Sequence, residues 1–229
     1  MECLAHAETT EAIEIAEGLL KELQTLSKED ARFEPSVYTY ATMIKAYTRL
    51  NQPQKAEAVL EHAPVNVMLM TGVLHAWSRS RHPEKPLRAL KLLKEMKTKV
   101  QPTTISYNAV IEACNRSKHP ASLKIAFAVF QSLEQDPNVT PDYWTFVNLL
   151  AAIGRALPSP SAERNDIVGA VFQKAVALQV VHRKVLGKLI TVCDSTYLTT
   201  LLTPHMTPDA SGRFDFEQIP LKWNKNAQN

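Results

Sequence analysis

The stretch Thr104-Ile-Ser-Tyr-Asn-Ala-Val-Ile-Glu-Ala-Cys-Asn-Arg116 decides the fold, because its pattern occurs four times in the 229-residue chain. Each copy contains an alanine followed three residues later by an arginine: Ala46/Arg49, Ala76/Arg79, Ala113/Arg116 and Ala152/Arg155. The arginines are 30 (49 to 79), 37 (79 to 116) and 39 (116 to 155) residues apart. Such a period predicts one helical hairpin per repeat.

A second pattern follows each arginine and places a small residue before apolar residues at +3, +4 and +7. Three copies are Ala56/Val59/Leu60/Ala63, Ala89/Leu92/Leu93/Met96 and Ala126/Val129/Phe130/Leu133, and the fourth, Val168/Val171/Phe172/Ala175, has valine in place of the alanine. These offsets put one apolar stripe on an α-helix. The pattern also occurs at Ala16/Leu19/Leu20/Leu23 with no first helix before it, so we expect the chain to begin inside a repeat. Prolines at both ends of each hairpin supply the breaks between helices.

The sequence therefore predicts an all-α fold, an α-solenoid of stacked helix-turn-helix hairpins. We expect one array over residues 1–202, with a partial unit at 1–36, full units at about 37–66, 67–103, 104–142 and 143–182, and capping helices at 183–202. Residues 203–229 lose the periodicity and predict an irregular or mobile tail. A docking segment is the alternative, because Phe214, Phe216 and Trp223 give this tail considerable apolar mass.

The repeats resemble a known family. The string Ile105 to Arg116, closed by Pro141-Asp142 before the next unit, looks like a pentatricopeptide repeat, and Val37 to Arg49 resembles it equally well. The resemblance covers about residues 10 to 195. It implies a right-handed superhelix that binds single-stranded RNA on its inner surface, with roughly one base read per repeat.

The resemblance also implies roles for particular positions, counted from the first residue of each full unit. Position 2 stacks on a base and supplies Tyr38, Met68, Ile105 and Trp144. Position 13 approaches the phosphates and supplies Arg49, Arg79, Arg116 and Arg155. Position 5 and the last residue of the unit contact the base edge, which gives the pairs Ala41/Asn66, Thr71/Thr103, Asn108/Asp142 and Val147/His182. The pair Asn108/Asp142 is the family's combination for uracil, whereas Ala41 and Val147 offer no hydrogen bond to a base.

Composition narrows the function classes. The net charge is +3, but residues 79–118 hold ten bases against three acids, a balance of +7, and residues 1–36 have a balance of −6. A basic field of this kind favours a phosphate backbone as partner. The sequence has no run of 18 apolar residues, so we expect no membrane span. Cys3, Cys114 and Cys193 lie far apart and predict no disulfide framework and no metal site, with Cys114 a core residue.

We expect neither an enzyme nor a cofactor, since nuclease carboxylate clusters, zinc-deaminase motifs and phosphate-binding glycine loops are all missing from the sequence. A small-molecule substrate is not expected either. The N-terminus carries no visible presequence, so the mitochondrion or chloroplast follows from the family resemblance alone. The function predicted is non-catalytic RNA binding in organellar RNA processing, stability, editing support or translation. The alternative is a protein-binding helical scaffold similar to tetratricopeptide repeats, with other proteins as partners.

Overall fold

The computed structural model describes residues 10–159, 161–209, 214–216 and 219–223. Within these ranges the chain is all-α, with eleven α-helices and no β-strand. The helices are α1 (Thr10–Leu26), α2 (Val37–Arg49), α3 (Pro53–Ala58), α4 (Val67–Arg79), α5 (Lys85–Lys99), α6 (Thr104–Asn115), α7 (Ser122–Gln135), α8 (Tyr143–Ala156), α9 (Ala162–Ala177), α10 (Arg183–Val192) and α11 (Ser195–Leu202). The predicted helical-repeat fold is confirmed.

The chain divides into two compact units, one up to Ala113 and the other from Cys114. In the first unit, α2 packs against α3 and α4, and α4 packs against α5. In the second unit, α8 packs against α7, α9 and α10, and α10 packs against α11. Each unit therefore consists of neighbouring hairpins, in which the first helix of one hairpin lies against the first helix of the next.

The first helices α2, α4, α6 and α8 bury the same positions of their sequence. Positions 4, 7, 8 and 11 of each helix are all buried, as are the position-10 alanines. These residues are Tyr40, Met43, Ile44, Ala46 and Tyr47; Met70, Val73, Leu74, Ala76 and Trp77; Tyr107, Val110, Ile111, Ala113 and Cys114; and Phe146, Leu149, Leu150, Ala152 and Ile153. Full burial of one large apolar side chain contributes about 1.5–3 kcal/mol, so this stripe contributes substantially to the stability of each unit. Cys114 is a core residue, as predicted.

The second helix of the first hairpin is shorter than its apolar pattern predicts. The pattern extends the helix to Ala63, but α3 ends at Ala58 and continues only as a 3₁₀ turn over Val59–Glu61. Pro64 limits only the last position of the pattern, because a proline disfavours the helical conformation for the residue before it, here Ala63. The prediction at Ala63 was therefore wrong, and the shortened helix accounts for the 30-residue spacing of this repeat.

The segment after α11 packs against the rest of the second unit through Trp223. Its indole is buried and meets the rings of Phe172 and His205 edge to face, at centroid distances of 5.4 and 5.2 Å. The carbonyl oxygen of Trp223 accepts a hydrogen bond of 2.8 Å from the backbone N–H of Val181. This single-turn 3₁₀ helix, Leu221–Trp223, thus packs against the end of the α8–α9 hairpin.

None of the helices in the described ranges has both the length and the apolar character needed to cross a membrane.

Candidate functional site

One side chain near the start of each first helix remains exposed although it is large and apolar. Tyr38 is 78% exposed, Met68 46%, Ile105 58% and Trp144 42%. Each is the second residue of its helix, because α2, α4, α6 and α8 begin at the residue just before it. The helices thus begin where the repeat numbering places position 1, and the four residues predicted to stack on bases share one structural setting.

Helical geometry explains this exposure. Position 2 lies on the first turn, away from the stripe formed by positions 4, 7, 8 and 11. A single exposed apolar residue is ordinary, but the same exposed position in four repeats is not accounted for by core packing. We define the first-helix surface as the exposed residues of the first helices within each unit.

In the first unit, α2 and α4 enclose a groove of about 230 Å³. Its lining includes Ala41 at position 5 of one repeat, and Met68 and Arg79 at positions 2 and 13 of the next. Lys45 and His75 also line it. The fold therefore brings three predicted positions from neighbouring repeats to one groove, which combines an apolar floor with basic side chains.

The last residue of a repeat also caps the helix of the next repeat. The Oδ1 atom of Asn66 accepts the backbone N–H of Met68 at 2.7 Å. The Oδ1 atom of Asp142 accepts the backbone N–H of Thr145 at 2.9 Å, and the Thr145 hydroxyl oxygen accepts the backbone N–H of Asp142 at 3.1 Å. These contacts form N-caps, and at Asp142 a reciprocal capping box.

Our sequence reasoning did not identify this capping role. The signal was present, because Asn, Asp, Ser and Thr are the preferred N-cap residues and stand just before an apolar helical pattern here. Ser36 caps α2 in the same way, through the backbone N–H of Thr39. The identity of the last residue is thus constrained by helix stability as well as by any ligand.

The pair Thr71 and Thr103 is joined through Ser106. The Ser106 hydroxyl lies 2.8 Å from the hydroxyl of Thr71 and 3.2 Å from that of Thr103. This places position 5 of one repeat and the last residue of that repeat in one hydrogen-bonded group. Much of their hydrogen-bonding capacity is used within the protein.

The remaining base-edge residues differ in accessibility. Asn108 is only 8% exposed and belongs to the first unit, whereas Asp142 belongs to the second. Val147 is buried. His182 caps α10, since its Nδ1 atom accepts the backbone N–H of Lys184 at 3.2 Å. Val147 therefore offers a base only an apolar edge, and His182 is already engaged.

The position-13 arginines are all exposed at the carboxyl ends of first helices. Arg49 and Arg79 are the last residues of α2 and α4, Arg155 is in the last turn of α8, and Arg116 follows the end of α6. Cations at this end interact favourably with the helix dipole, which provides a structural reason for arginine at this position. Exposure leaves their guanidinium groups accessible to an anion.

The opposite side of the hairpins has a different character. A cavity of about 220 Å³ between α3 and α5 is lined by Glu57, Glu61 and Glu95. Arg88 pairs with Glu57 at 3.1 Å and Lys99 with Glu95 at 2.6 Å, so several bases of the +7 segment are neutralised here. Carboxylates disfavour a phosphate, and in the first unit the groove between α2 and α4 is the better anion site.

Models of the pentatricopeptide repeat match residues 38–62 and, as a pentatricopeptide repeat domain, residues 64–116. The chain contains pentatricopeptide repeats. Among curated proteins, a pentatricopeptide repeat-containing protein of Arabidopsis thaliana is 27% identical over 134 residues, 57% of this chain. The chain spans 17% of the length of that relative. The two family-model matches cover Tyr38 to Arg49, Ile105 to Arg116 and the residues that line the groove between α2 and α4.

Within the described part of the chain, no group of three or more His, Cys, Asp or Glu side chains is arranged to hold a metal ion. On the first helices, His75 and Glu112 form a pair of such side chains, with the His75 Nδ1 and Glu112 Oε2 atoms 3.8 Å apart. The surface therefore presents stacking groups, helix caps and cations as its chemistry.

Proposed function

We propose that this pentatricopeptide repeat protein binds single-stranded RNA on the first-helix surfaces of its two units. The observation that supports this most is the exposure of a large apolar side chain at position 2 in all four repeats, while the stripe beside it is buried. A base has an apolar face that such a side chain can cover. Stacking of a base on an aromatic side chain such as Tyr38 contributes about 1–3 kcal/mol.

The position-13 arginines supply the electrostatic part of binding. They are exposed at the far end of the same helices, about 16 Å from position 2, since eleven residues rise about 1.5 Å each. Arginine matches phosphate oxygens through a planar set of donors. An extended backbone that passes the helix ends, with bases directed toward position 2, would use both groups.

Base recognition is limited to few repeats. We propose that Asn108 of the first unit and Asp142 of the second are each base-edge contacts that favour uracil. Thr71 with Thr103 contributes a weaker preference, because their hydroxyls already share Ser106. Ala41 and Asn66 can fit the shape of a base, but Ala41 at position 5 offers it no hydrogen bond. Such a protein binds RNA with modest sequence preference.

We further propose that the protein acts without catalysis or cofactor in the RNA metabolism of a mitochondrion or chloroplast. Processing, stability, editing support and translation are the processes that binding of this kind serves. The support is the family, together with a surface made of stacking groups and cations.

Binding of a short uracil-containing RNA, followed by fluorescence anisotropy across a salt series, tests the proposal. In Arg49→Ala/Arg79→Ala we expect weaker binding and a plot of log affinity against log salt that is shallower by about 1.4, since each lost single-strand phosphate contact removes about 0.7. The matched control is Lys91→Ala/Lys94→Ala, two exposed bases of α5 in the same unit. The slope of the control should differ from the parental slope by no more than about 0.7, the value of one phosphate contact.

Equal losses in the two double variants would mean that the bases act only through net charge. No binding by the folded parent at low salt would overturn the proposal and favour a protein-binding scaffold instead.

A further inference from the structure

Trp144 is less exposed than Tyr38, at 42% against 78%, and a cation lies over its ring. The Nζ atom of Lys184 lies 4.1 Å from the centroid of the Trp144 ring, within cation–π distance. Lys184 is the second residue of α10, and Trp144 is the second residue of α8, which packs directly against α10. The two side chains therefore come from equivalent positions of neighbouring first helices, and one covers the other.

The surrounding contacts hold this arrangement in place. The ring of Tyr143 stacks on His182 with centroids 4.6 Å apart and also lies 5.3 Å from the Trp144 ring. The Nδ1 atom of His182 accepts the backbone N–H of Lys184, which fixes the start of α10. Burial and the nearby Arg183 and Lys184 cations lower the pKa of His182, so the neutral ring keeps the lone pair that this cap needs.

The same repeat lacks the means to recognise a base edge. Val147 at position 5 is buried and apolar, and His182 at the last position is engaged in capping and stacking. A base entering here would gain stacking only, and it would first have to displace the ammonium group from Trp144. Both observations argue against base binding at this repeat.

We infer that Lys184 closes the Trp144 stacking site, so that RNA bound to this chain places no base on Trp144. This inference rests on the proposed RNA binding and adds to it a residue that determines where base stacking stops. The site is closed by a side chain of the next repeat, and removal of that side chain should open it.

Tryptophan fluorescence reports on this site selectively. Of the three tryptophans, Trp77 and Trp223 are 1% and 0% exposed, so a base can reach only Trp144. The full chain is titrated with the uracil-containing RNA while anisotropy of labelled RNA measures binding and tryptophan emission measures stacking. The variants are Lys184→Ala, the charge-matched control Lys188→Ala on the same helix, and Trp144→Phe as the signal control.

We expect the parent and Lys188→Ala to bind RNA without a change in tryptophan emission. Lys184→Ala should bind RNA about two- to five-fold more tightly despite losing a positive charge, because the ammonium group no longer competes with a base for the Trp144 ring. This factor is the change in affinity that corresponds to one partly exposed cation–π contact. The emission of Lys184→Ala should be quenched on binding, and Trp144→Phe in the Lys184→Ala background should abolish the quenching. Acrylamide, with no RNA present, should also quench Lys184→Ala more than the parent.

The parent binding RNA with Trp144 quenched as strongly as in Lys184→Ala would overturn this inference and leave the proposed function standing. Weaker RNA binding by Lys184→Ala with unchanged emission would also overturn it, because Lys184 would then be a phosphate contact. Absence of binding by the parent in the anisotropy channel would overturn the proposed function and this inference with it.

Discussion

Replacement of Asp142 separates its role in the fold from its proposed role with RNA. Asp142 caps α8, accepting the backbone N–H of Thr145 at 2.9 Å, and the buried Thr145 hydroxyl donates to the same oxygen at 3.1 Å. Asp142→Ala removes both contacts. Loss of an N-cap costs about 1 kcal/mol within a range of about 0.5–2 kcal/mol, and the buried hydroxyl left without this acceptor places the change in the upper half of that range.

Asp142→Asn is the matched control for stability. Asparagine caps as well as aspartate, and only the charge–dipole interaction of about 0.3–1 kcal/mol is lost. We expect Asp142→Ala to lower the free energy of unfolding by about 1–2 kcal/mol and Asp142→Asn by less than about 1 kcal/mol. Asp142→Asn should nevertheless weaken the preference for uracil-containing RNA, since the carboxylate is the proposed base-edge group.

The assay is urea unfolding followed by circular dichroism, with hydrogen exchange of the first-turn amides of α8 as the local measure. The Thr145 amide should exchange faster in Asp142→Ala and near the parental rate in Asp142→Asn. Equal stability of Asp142→Ala and the parent would refute the capping argument. An unchanged uracil preference in Asp142→Asn would refute the reading role alone.

Three further predictions concern the packing within each unit. Burial of Glu17 raises its pKa, but the hydrogen bond from the Tyr47 hydroxyl at 2.7 Å and a lysine partner outweigh burial, so the net shift is downward. The stabilisation from ionised Glu17 is present above the ordinary pKa of 4.5 and is lost as pH falls through the lower pKa of the folded state. The difference in free energy of unfolding between the parent and Glu17→Gln, measured by urea unfolding, should therefore shrink at acid pH. A Cβ on Gly169 would clash with the Tyr197 hydroxyl oxygen, which costs about 1–3 kcal/mol, while the gain in helix propensity returns about 1 kcal/mol. Gly169→Ala should therefore destabilise by up to about 2 kcal/mol, and adding Tyr197→Phe should recover part of the loss in thermal melts. Burial raises the pKa of the Cys114 thiol to about 12, so peptide mass spectrometry should find it unalkylated by iodoacetamide in the folded protein at pH 8 and alkylated in urea.

The periodic features of the fold were predictable from the sequence because they depend on local geometry. The buried stripe follows from the 3.6-residue helical period, and the exposure of position 2 follows from its angular distance from that stripe. The limit at Ala63 was also predictable, since Pro64 disfavours the helical conformation of the residue before it, whereas the change to a 3₁₀ turn at Val59 was not. The apolar pattern that continues to Ala63 concealed this signal.

The features that sequence reasoning missed depend on partners far apart in the chain. Lys184 reads as an ordinary surface base until α10 is placed beside α8, where it lies over Trp144. Trp223 reads as part of an irregular tail until its ring is seen against Phe172. Such contacts join residues about 40 to 50 positions apart, and no periodic pattern in the sequence predicts them.

Photo-crosslinking with a 4-thiouridine-containing single-stranded RNA, with crosslinked peptides located by mass spectrometry, tests the central claim most directly. We expect crosslinks at the starts of first helices, on peptides that contain Tyr38, Met68 or Ile105. These crosslinks should disappear when unlabelled RNA competes. Crosslinks confined to the exposed side of α5, around Lys91 and Lys94, would contradict the claim that the first-helix surfaces bind RNA.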